Sequence, residues 1–354
     1  MTSSKTRVLS CGLRPKPYTK QASPTKKTLN NILTSSHNMH ISQTNVVIPD
    51  FILLNLDLNG TVTFADTTKN VNEIIYEVAG AIFSCWNGSA RMSYKDYIQK
   101  VRFPGNKYQK DIKEKQEEEI GKFLLYLEEK ASTSAERAKL YHEASVLYRK
   151  LAEKYLHPAT ERAVFTPFDS VFKLIQTIEK RCLYTCIIRT FGNDGPLIAA
   201  AFKEKGITLD RTAIFSSAGM QLSDQTTVLN GEKLLESILE TNTLGKDHVQ
   251  EWFNNDRKAE SGKRIYCVSD SHFKGRTIIS IIFDDNLKKI KNDLPADPQE
   301  QNIAFPIDVY GRPVSWNAKG IIGIRVNPIK AALDENYFVK KVNKALSKRG
   351  FTTI

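Results

Sequence analysis

Cysteine is scarce in this chain. Five are scattered over 354 residues (Cys11, Cys85, Cys182, Cys186 and Cys267), none is spaced CxxC, and their number is odd. That argues against a disulfide scaffold and against a four-ligand zinc site. Long apolar runs are missing as well. The longest candidate, Val46 to Leu56, is interrupted by Pro49, Asp50 and Asn55, and falls short of the ~18 residues that span a bilayer. No GxxxxGK[ST], no GxGxxG after a strand and no GxSxG occurs, and the six histidines form no HxxxH or HExxH pair. P-loop, dinucleotide, hydrolase-elbow and zincin chemistries therefore lack their carriers. Acid is absent from residues 1–49, which hold seven basic residues from Lys5 to Lys27.

What is present is ordinary for a soluble globular protein: 41% hydrophobic and 25% charged residues. The length allows a core that needs no staple. Of the formal +12, the basic N-terminal stretch supplies +7, so the remaining body is only mildly basic. Residues 1–45 are rich in Ser, Thr, Lys and Pro and poor in large apolar residues, and are expected to be a disordered basic tail. A targeting or export segment is the alternative reading of such a composition. A nucleic-acid arm is disfavoured because no aromatics are interleaved for base stacking. A soluble, cytoplasmic chain is the expectation for the rest.

Order is expected from Val46 onward. Phe51 to Leu56 reads as a buried strand running into Asp57. Residues 67–163 read as mainly helical, with one helix over Asp111 to Lys130 and another over Ser134 to Leu156. The Lys/Glu run Lys110 to Glu119 reads as a solvated face. After Pro167, a helix capped by Asp169 or Ser170 leads to a strand, Tyr184 to Ile188, that ends in Arg189-Thr190. Asp194 is placed to cap a further helix, Pro196 to Lys205, stopped by Gly206. Strands follow at Ala213 to Phe215, Ile278 to Phe283, Ile303 to Val309 and Ile321 to Val326, with Asp247, His248 and Trp252 in a helical stretch. Alternating strands and helices predict an α/β fold with a parallel sheet and a helical insertion.

Three polar clusters follow three apolar strands: Asp57 with Asn59 and Thr61, then Thr190, then Asp284 with Asp285. In a parallel sheet these sit at the carboxyl ends of strands, where ligands bind. Two carboxylate clusters converging there repel unless a cation lies between them, and such oxygen ligands suit Mg²⁺. A phosphate held by that metal also calls for a fixed positive charge; Lys263 is the candidate and Lys274 its competitor.

The ordered set (strand into DLNGT, strand into Thr190, a lysine, strand into Asp284-Asp285) resembles the haloacid dehalogenase (HAD) superfamily, with the four elements in family order over residues 51–286. The resemblance implies a Rossmannoid core over 46–66 and 164–345, with a helical cap inserted after the first strand over 67–163. It also implies a Mg²⁺-dependent phosphohydrolase or phosphotransferase acting on a phosphorylated substrate, with Asp57 as nucleophile. Mg²⁺ would lie among Asp57, the backbone carbonyl of Asn59 and Asp284, with Asp285 behind them or ordering a water. Thr61, Thr190 and Lys263 would hold phosphoryl oxygens. One position departs from the pattern. Family phosphatases carry a second Asp two residues after the nucleophile, as general acid and base, and this chain has Asn59. An amide cannot pass a proton in that way, so a catalytically weak HAD-fold protein with a binding or regulatory role is the alternative. A nucleic-acid-binding module finds no aromatic or Gly-rich motif to support it.

Overall fold

The computed structural model describes residues 47–354, apart from 89, 106–108, 224–227, 256–260, 269–270, 288–289, 292–293 and 296–303. The expected N-terminal tail lies outside the described residues. The chain is an α/β protein built on a nine-stranded, mostly parallel sheet. The first strand, β1 (Phe51–Asp57), is buried along its whole length, as a continuous apolar run in a parallel sheet requires. The chain then leaves the sheet for a helical segment: α1 (Glu73–Ala81), α2 (Tyr94–Tyr97), α3 (Lys110–Gly121), α4 (Phe123–Ala131) and α5 (Ala135–Tyr155). It returns through α6 (Asp169–Glu179) to β2 (Leu183–Thr190), α7 (Gly195–Glu204), β3 (Arg211–Ser216), α8 (Gly231–Glu240), β4 (Thr243–Asp247) and α9 (Val249–Asn254). The last part holds β5 (Lys263–Tyr266), β6 (Arg276–Asp284), β7 (Ala304–Ile307), β8 (Ile321–Arg325), α10 (Pro328–Leu333) and α11 (Tyr337–Lys348).

The parallel strands lie in the order β8-β6-β1-β2-β4-β3. Short antiparallel strands extend the sheet beyond β3 and flank the start of β6. The central strand β1 pairs with β2 from Phe51↔Leu183 to Asp57↔Arg189, and with β6 from Phe51↔Ile278 to Leu56↔Phe283. One large cluster of buried side chains runs from Ile52, Leu54 and Leu56 of β1 through Ile74 and Val78 of α1 and Phe123 of α4 to Leu151 of α5. Each such aliphatic side chain contributes about 1.5–3 kcal/mol by leaving water. The helical insertion and the sheet thus share a single continuous core. At its stem, Arg162 donates from Nε to Glu73 at 3.1 and 3.2 Å and from Nη2 to the carbonyls of Asp66 and Lys69 at 3.2 and 3.0 Å. That guanidinium clasps the segment entering the insertion to the one leaving it.

Several expectations need correction. The helix expected over 111–130 is two helices, because Lys122 leaves helical backbone (φ −83°, ψ 6°). Gly121 before it lies against Val71, where a Cβ would come within 2.9 Å of Cγ2. The Lys110 to Glu119 run is not wholly solvated. Gln116 is buried and donates to the Phe103 carbonyl at 2.8 Å, and Glu117 is buried and accepts the Asn70 N–H at 3.1 Å. Neither Asp169 nor Ser170 caps α6: Asp169 lies in its first turn and pairs with Lys154, while Ser170 donates to the Ala331 carbonyl at 2.6 Å. The apolar run after 303 forms β7, but it pairs with β5 in a separate two-stranded parallel sheet. Asp247, expected in a helical stretch, ends strand β4. Gly245 hides that strand in the sequence yet is what lets it pack, since a Cβ there would lie 2.6 Å from the Phe215 ring.

Candidate functional site

Asp284, Asp57, Thr190 and Asp247 are the last residues of four adjacent strands, β6, β1, β2 and β4. Backbone pairing alone therefore sets them side by side along one edge of the sheet. Past Asp57 the chain turns at once: Leu58 donates to the Arg189 carbonyl at 2.9 Å, and Gly60 donates to the Thr63 carbonyl at 2.8 Å. Gly60 has φ +76°, and a Cβ there would sit 2.9 Å from the Asp285 carboxyl. Only glycine combines that backbone with so close an approach. Thr61 is fully buried and its hydroxyl oxygen accepts the Asp285 N–H at 3.0 Å. It braces the loop after β1 against the loop after β6. Thr190 is buried, and its hydroxyl oxygen accepts the Gly192 N–H at 2.9 Å.

Asp57, Asp284 and Asp285 each offer a carboxylate oxygen within 4.8 Å of the other two. Lys263 reaches them from β5: its buried ammonium hydrogen-bonds to Asp57 Oδ1 and lies 3.8 Å from Asp284 Oδ2. Lys274 is elsewhere, exposed and paired with Glu236. Burial is the largest influence on Asp57 and raises it well above the usual carboxylate range; Lys263 opposes this, and Asp284 and Asp285 reinforce it. Asp284 is raised by burial too, against the pull of Lys263. Burial, then Asp284 and Glu77, pushes Asp285 up to about 7, although Lys69 and Lys95 pull the other way. Burial alone would lower Lys263, but Asp57, Asp284 and Asp247 outweigh it and hold the ammonium above its ordinary value. Behind this group, Arg189 and Asp247 form a fully buried ion pair, and Arg189 Nη1 donates to the Arg264 carbonyl at 2.8 Å.

Asp57, Asp284 and Asp285 crowd together with one ammonium, Lys263, reaching two of them, and buried like charges are costly unless a partner compensates them. Three acid oxygens this close together match the all-oxygen preference of Mg²⁺. The residues present therefore fit a hard divalent cation on charge, ligand type and spacing.

Asn59 stands beside the cluster. Its amide Nδ2 lies 3.5 Å from Asp194 Oδ2, and its Oδ1 is buried without a hydrogen-bond partner among the described residues. Asp194, placed by sequence to cap α7, occupies the cap position but makes no side-chain hydrogen bond to its own helix. Its other oxygen takes the Thr67 hydroxyl at 2.6 Å. Asp194, Arg189, Asp247 and the lysines Lys69 and Lys95 escaped sequence reasoning. Arg189 carried the one usable signal, a charged residue inside an apolar strand immediately before Thr190. On the far side, Phe191 stacks on Trp252 at 5.7 Å and lies 5.3 Å from the Lys263 ammonium. No helix among the described residues is long and apolar enough to cross a membrane. Comparison with family models, with curated proteins and with solved structures finds no match to this chain.

Proposed function

We propose that the chain is a Mg²⁺-dependent, HAD-like phosphohydrolase or phosphotransferase that works through an aspartyl-phosphate at Asp57. The observation that carries this reading is the meeting of Asp57 and Asp284, which end neighbouring parallel strands, with Asp285 just beyond and with Lys263, which reaches in from the start of β5 in a separate two-stranded sheet, although the four are spread over more than two hundred residues of sequence. Asp57, Asp284, Asp285 and the backbone carbonyl of Asn59 would hold the ion, which when bound supplies positive charge against the phosphoryl oxygens. Asp57 Oδ attacks phosphorus while the bond to the leaving oxygen breaks, giving the acyl-phosphate and an alkoxide that takes its proton from solvent water. Lys263 and the Thr190 hydroxyl stabilise charge on the transferring group. Water, or an acceptor alcohol, then attacks the phosphorus, releases its proton to solvent or to the product phosphate, and returns Asp57 as carboxylate.

Asn59 bears on how fast this runs. General acid–base help is worth roughly 10² to 10⁴-fold, and an amide directed at Asp194 does not provide it. That observation favours slow turnover, and a role in binding or regulation is the second reading. The test is hydrolysis of an aryl and an alkyl phosphate by wild type, Asp57→Asn and Asn59→Asp. Asp57→Asn is expected to abolish turnover and the hydroxylamine-sensitive phosphoenzyme. Asn59→Asp is expected to accelerate the alkyl substrate by roughly 10² to 10⁴-fold and the aryl substrate less, because nitrophenolate leaves without a proton. Fast wild-type turnover of both substrates would show that proton transfer does not depend on position 59, and turnover indifferent to Asp57 would end the nucleophile assignment.

A further inference from the structure

One polar side chain beneath the site stands in apolar company. Asn55 is 1% exposed, and neither its Nδ2 nor its Oδ1 has a hydrogen-bond partner among the described residues. Its neighbours across the sheet are both aliphatic, Ile187 on β2 and Ile282 on β6. Every other residue of β1 before Asp57 is a large apolar one. An amide buried there without a bond is unfavourable, whereas leucine, of nearly the same shape, would carry no such penalty. Packing alone therefore does not account for an asparagine at this position.

Side chains alternate between the two faces of a strand, so Asn55 lies on the face that carries Asp57 two residues further on. Both line one small cavity, together with Lys263, Arg189 and Asp284. The free volume there is about 10 Å³, which suits one water and nothing larger. Hydrogen-bond chemistry selects the same occupant. A carboxamide offers two donors and an acceptor, and the carboxylates beside it only accept. A halide would meet the donors alone and a bare cation the acceptor alone, whereas a water both donates and accepts. We infer that Asn55 holds an enclosed water that donates to the Asp57 carboxylate from the core side, which makes Asn55 a positioning residue for that carboxylate. The inference rests on the reading of Asp57 as the phosphoryl acceptor and deepens it. Lys263 holds one oxygen of Asp57, and the Asn55 water gives the carboxylate a second hold that is in place before any substrate arrives.

The test has two arms, both on the full chain. A high-resolution crystal structure is expected to show a water within about 3.2 Å of both the Asn55 amide and an Asp57 carboxylate oxygen, and none there in Asn55→Leu. In turnover of an aryl phosphate with excess Mg²⁺, Asn55→Leu is expected to lower kcat about tenfold or more while KM changes less than about twofold. Its melting temperature is expected to equal or exceed that of wild type, because an unbonded amide is exchanged for a side chain that packs. A merely structural residue would lose stability and activity together. Ser280 is the control: its buried hydroxyl also has no partner among the described residues, but it does not line the cavity. Ser280→Ala is expected to leave kcat within about twofold of wild type. Should leucine lower the melting temperature, Asn55→Thr and Asn55→Val, which share a shape, carry the kinetic arm: threonine is expected to keep most of the kcat and valine to lose it. A map without a water at the amide, or wild-type kcat in Asn55→Leu, overturns the inference. The nucleophile assignment fails by a different result, phosphatase turnover that survives Asp57→Asn, so the two failures are distinguishable.

Discussion

Gly60 shows how narrow the tolerances of the site are. Its positive φ and the 2.9 Å gap to the Asp285 carboxyl leave no room for a methyl group. Gly60→Ala is expected to cost about 1–2 kcal/mol, from the backbone conformation and from the displaced carboxylate. The larger effect should be on the ion, since a shifted Asp285 breaks the triad: Mg²⁺ affinity measured by calorimetry should fall at least about tenfold, whereas Gly206→Ala, equally left-handed but facing open space, should lose stability alone. An unchanged Mg²⁺ affinity in Gly60→Ala would remove Asp285 from the ion's surroundings.

Strand ends position the charges, and the Arg189–Asp247 pair joins two of them. β2 delivers Arg189 and β4 delivers Asp247, and both side chains are shut off from solvent. Arg189→Met would leave Asp247 buried without its cation and is expected to destabilise by about 3–5 kcal/mol in urea titrations. The double change Arg189→Met with Asp247→Leu should recover most of that loss; a double variant no better than the single one would show that the pair does more than cancel its own charge. Sequence made the frame legible wherever a strand was a pure apolar run: FILLNL before Asp57 and IISIIF before Asp284 announce both the strand and the acid that ends it. β4 was illegible because TLGKD carries only one large apolar side chain, and its place beside β2 depends on Gly245 fitting under Phe215, a contact no periodicity reports. Asp194 was legible as the residue at the start of α7, and it does sit at the N-cap, but that its carboxylate takes the Thr67 hydroxyl instead of its own helix was not, because local helix-start signals carry no information on a residue far away in sequence. Lys69 and Lys95 carry no motif at all; Lys69 lies in the loop before α1 and Lys95 in α2, and only tertiary packing brings both ammoniums to the Tyr76 ring, at 4.8 and 4.1 Å from its centre.

Across the whole molecule, the site couples stability to pH and to metal. Asp285 is held at about 7 in the folded chain against 3.8 for the free side chain, with Asp57 and Asp284 shifted in the same direction. A raised folded value favours the folded state while the group is protonated. That contribution is complete below the unfolded value and is lost as pH climbs through about 7. Melting temperature in EDTA is therefore expected to fall from about pH 5 to about pH 8 through these groups. Mg²⁺ should offset the fall most at the alkaline end, by about 2.7 kcal/mol at a hundredfold excess over Kd, and Asp284→Ala should abolish the offset. Identical melts with EDTA and Mg²⁺ at every pH would refute the ion site. The position of β1 at the centre of the sheet has a consequence for how the chain is made. Its first sheet partner begins at Leu183 and its second at Ile278. At the ~5–20 residues per second of synthesis, the strand that ends in Asp57 leaves the ribosome roughly 10 to 45 seconds before its later neighbour exists. Until Leu183 and its strand emerge FILLNL has no partner, and from then until Ile278 one side of it stays an open apolar edge of the kind that aggregates, so a nascent chain stalled before Ile278 should depend on a holding chaperone that the finished protein does not need.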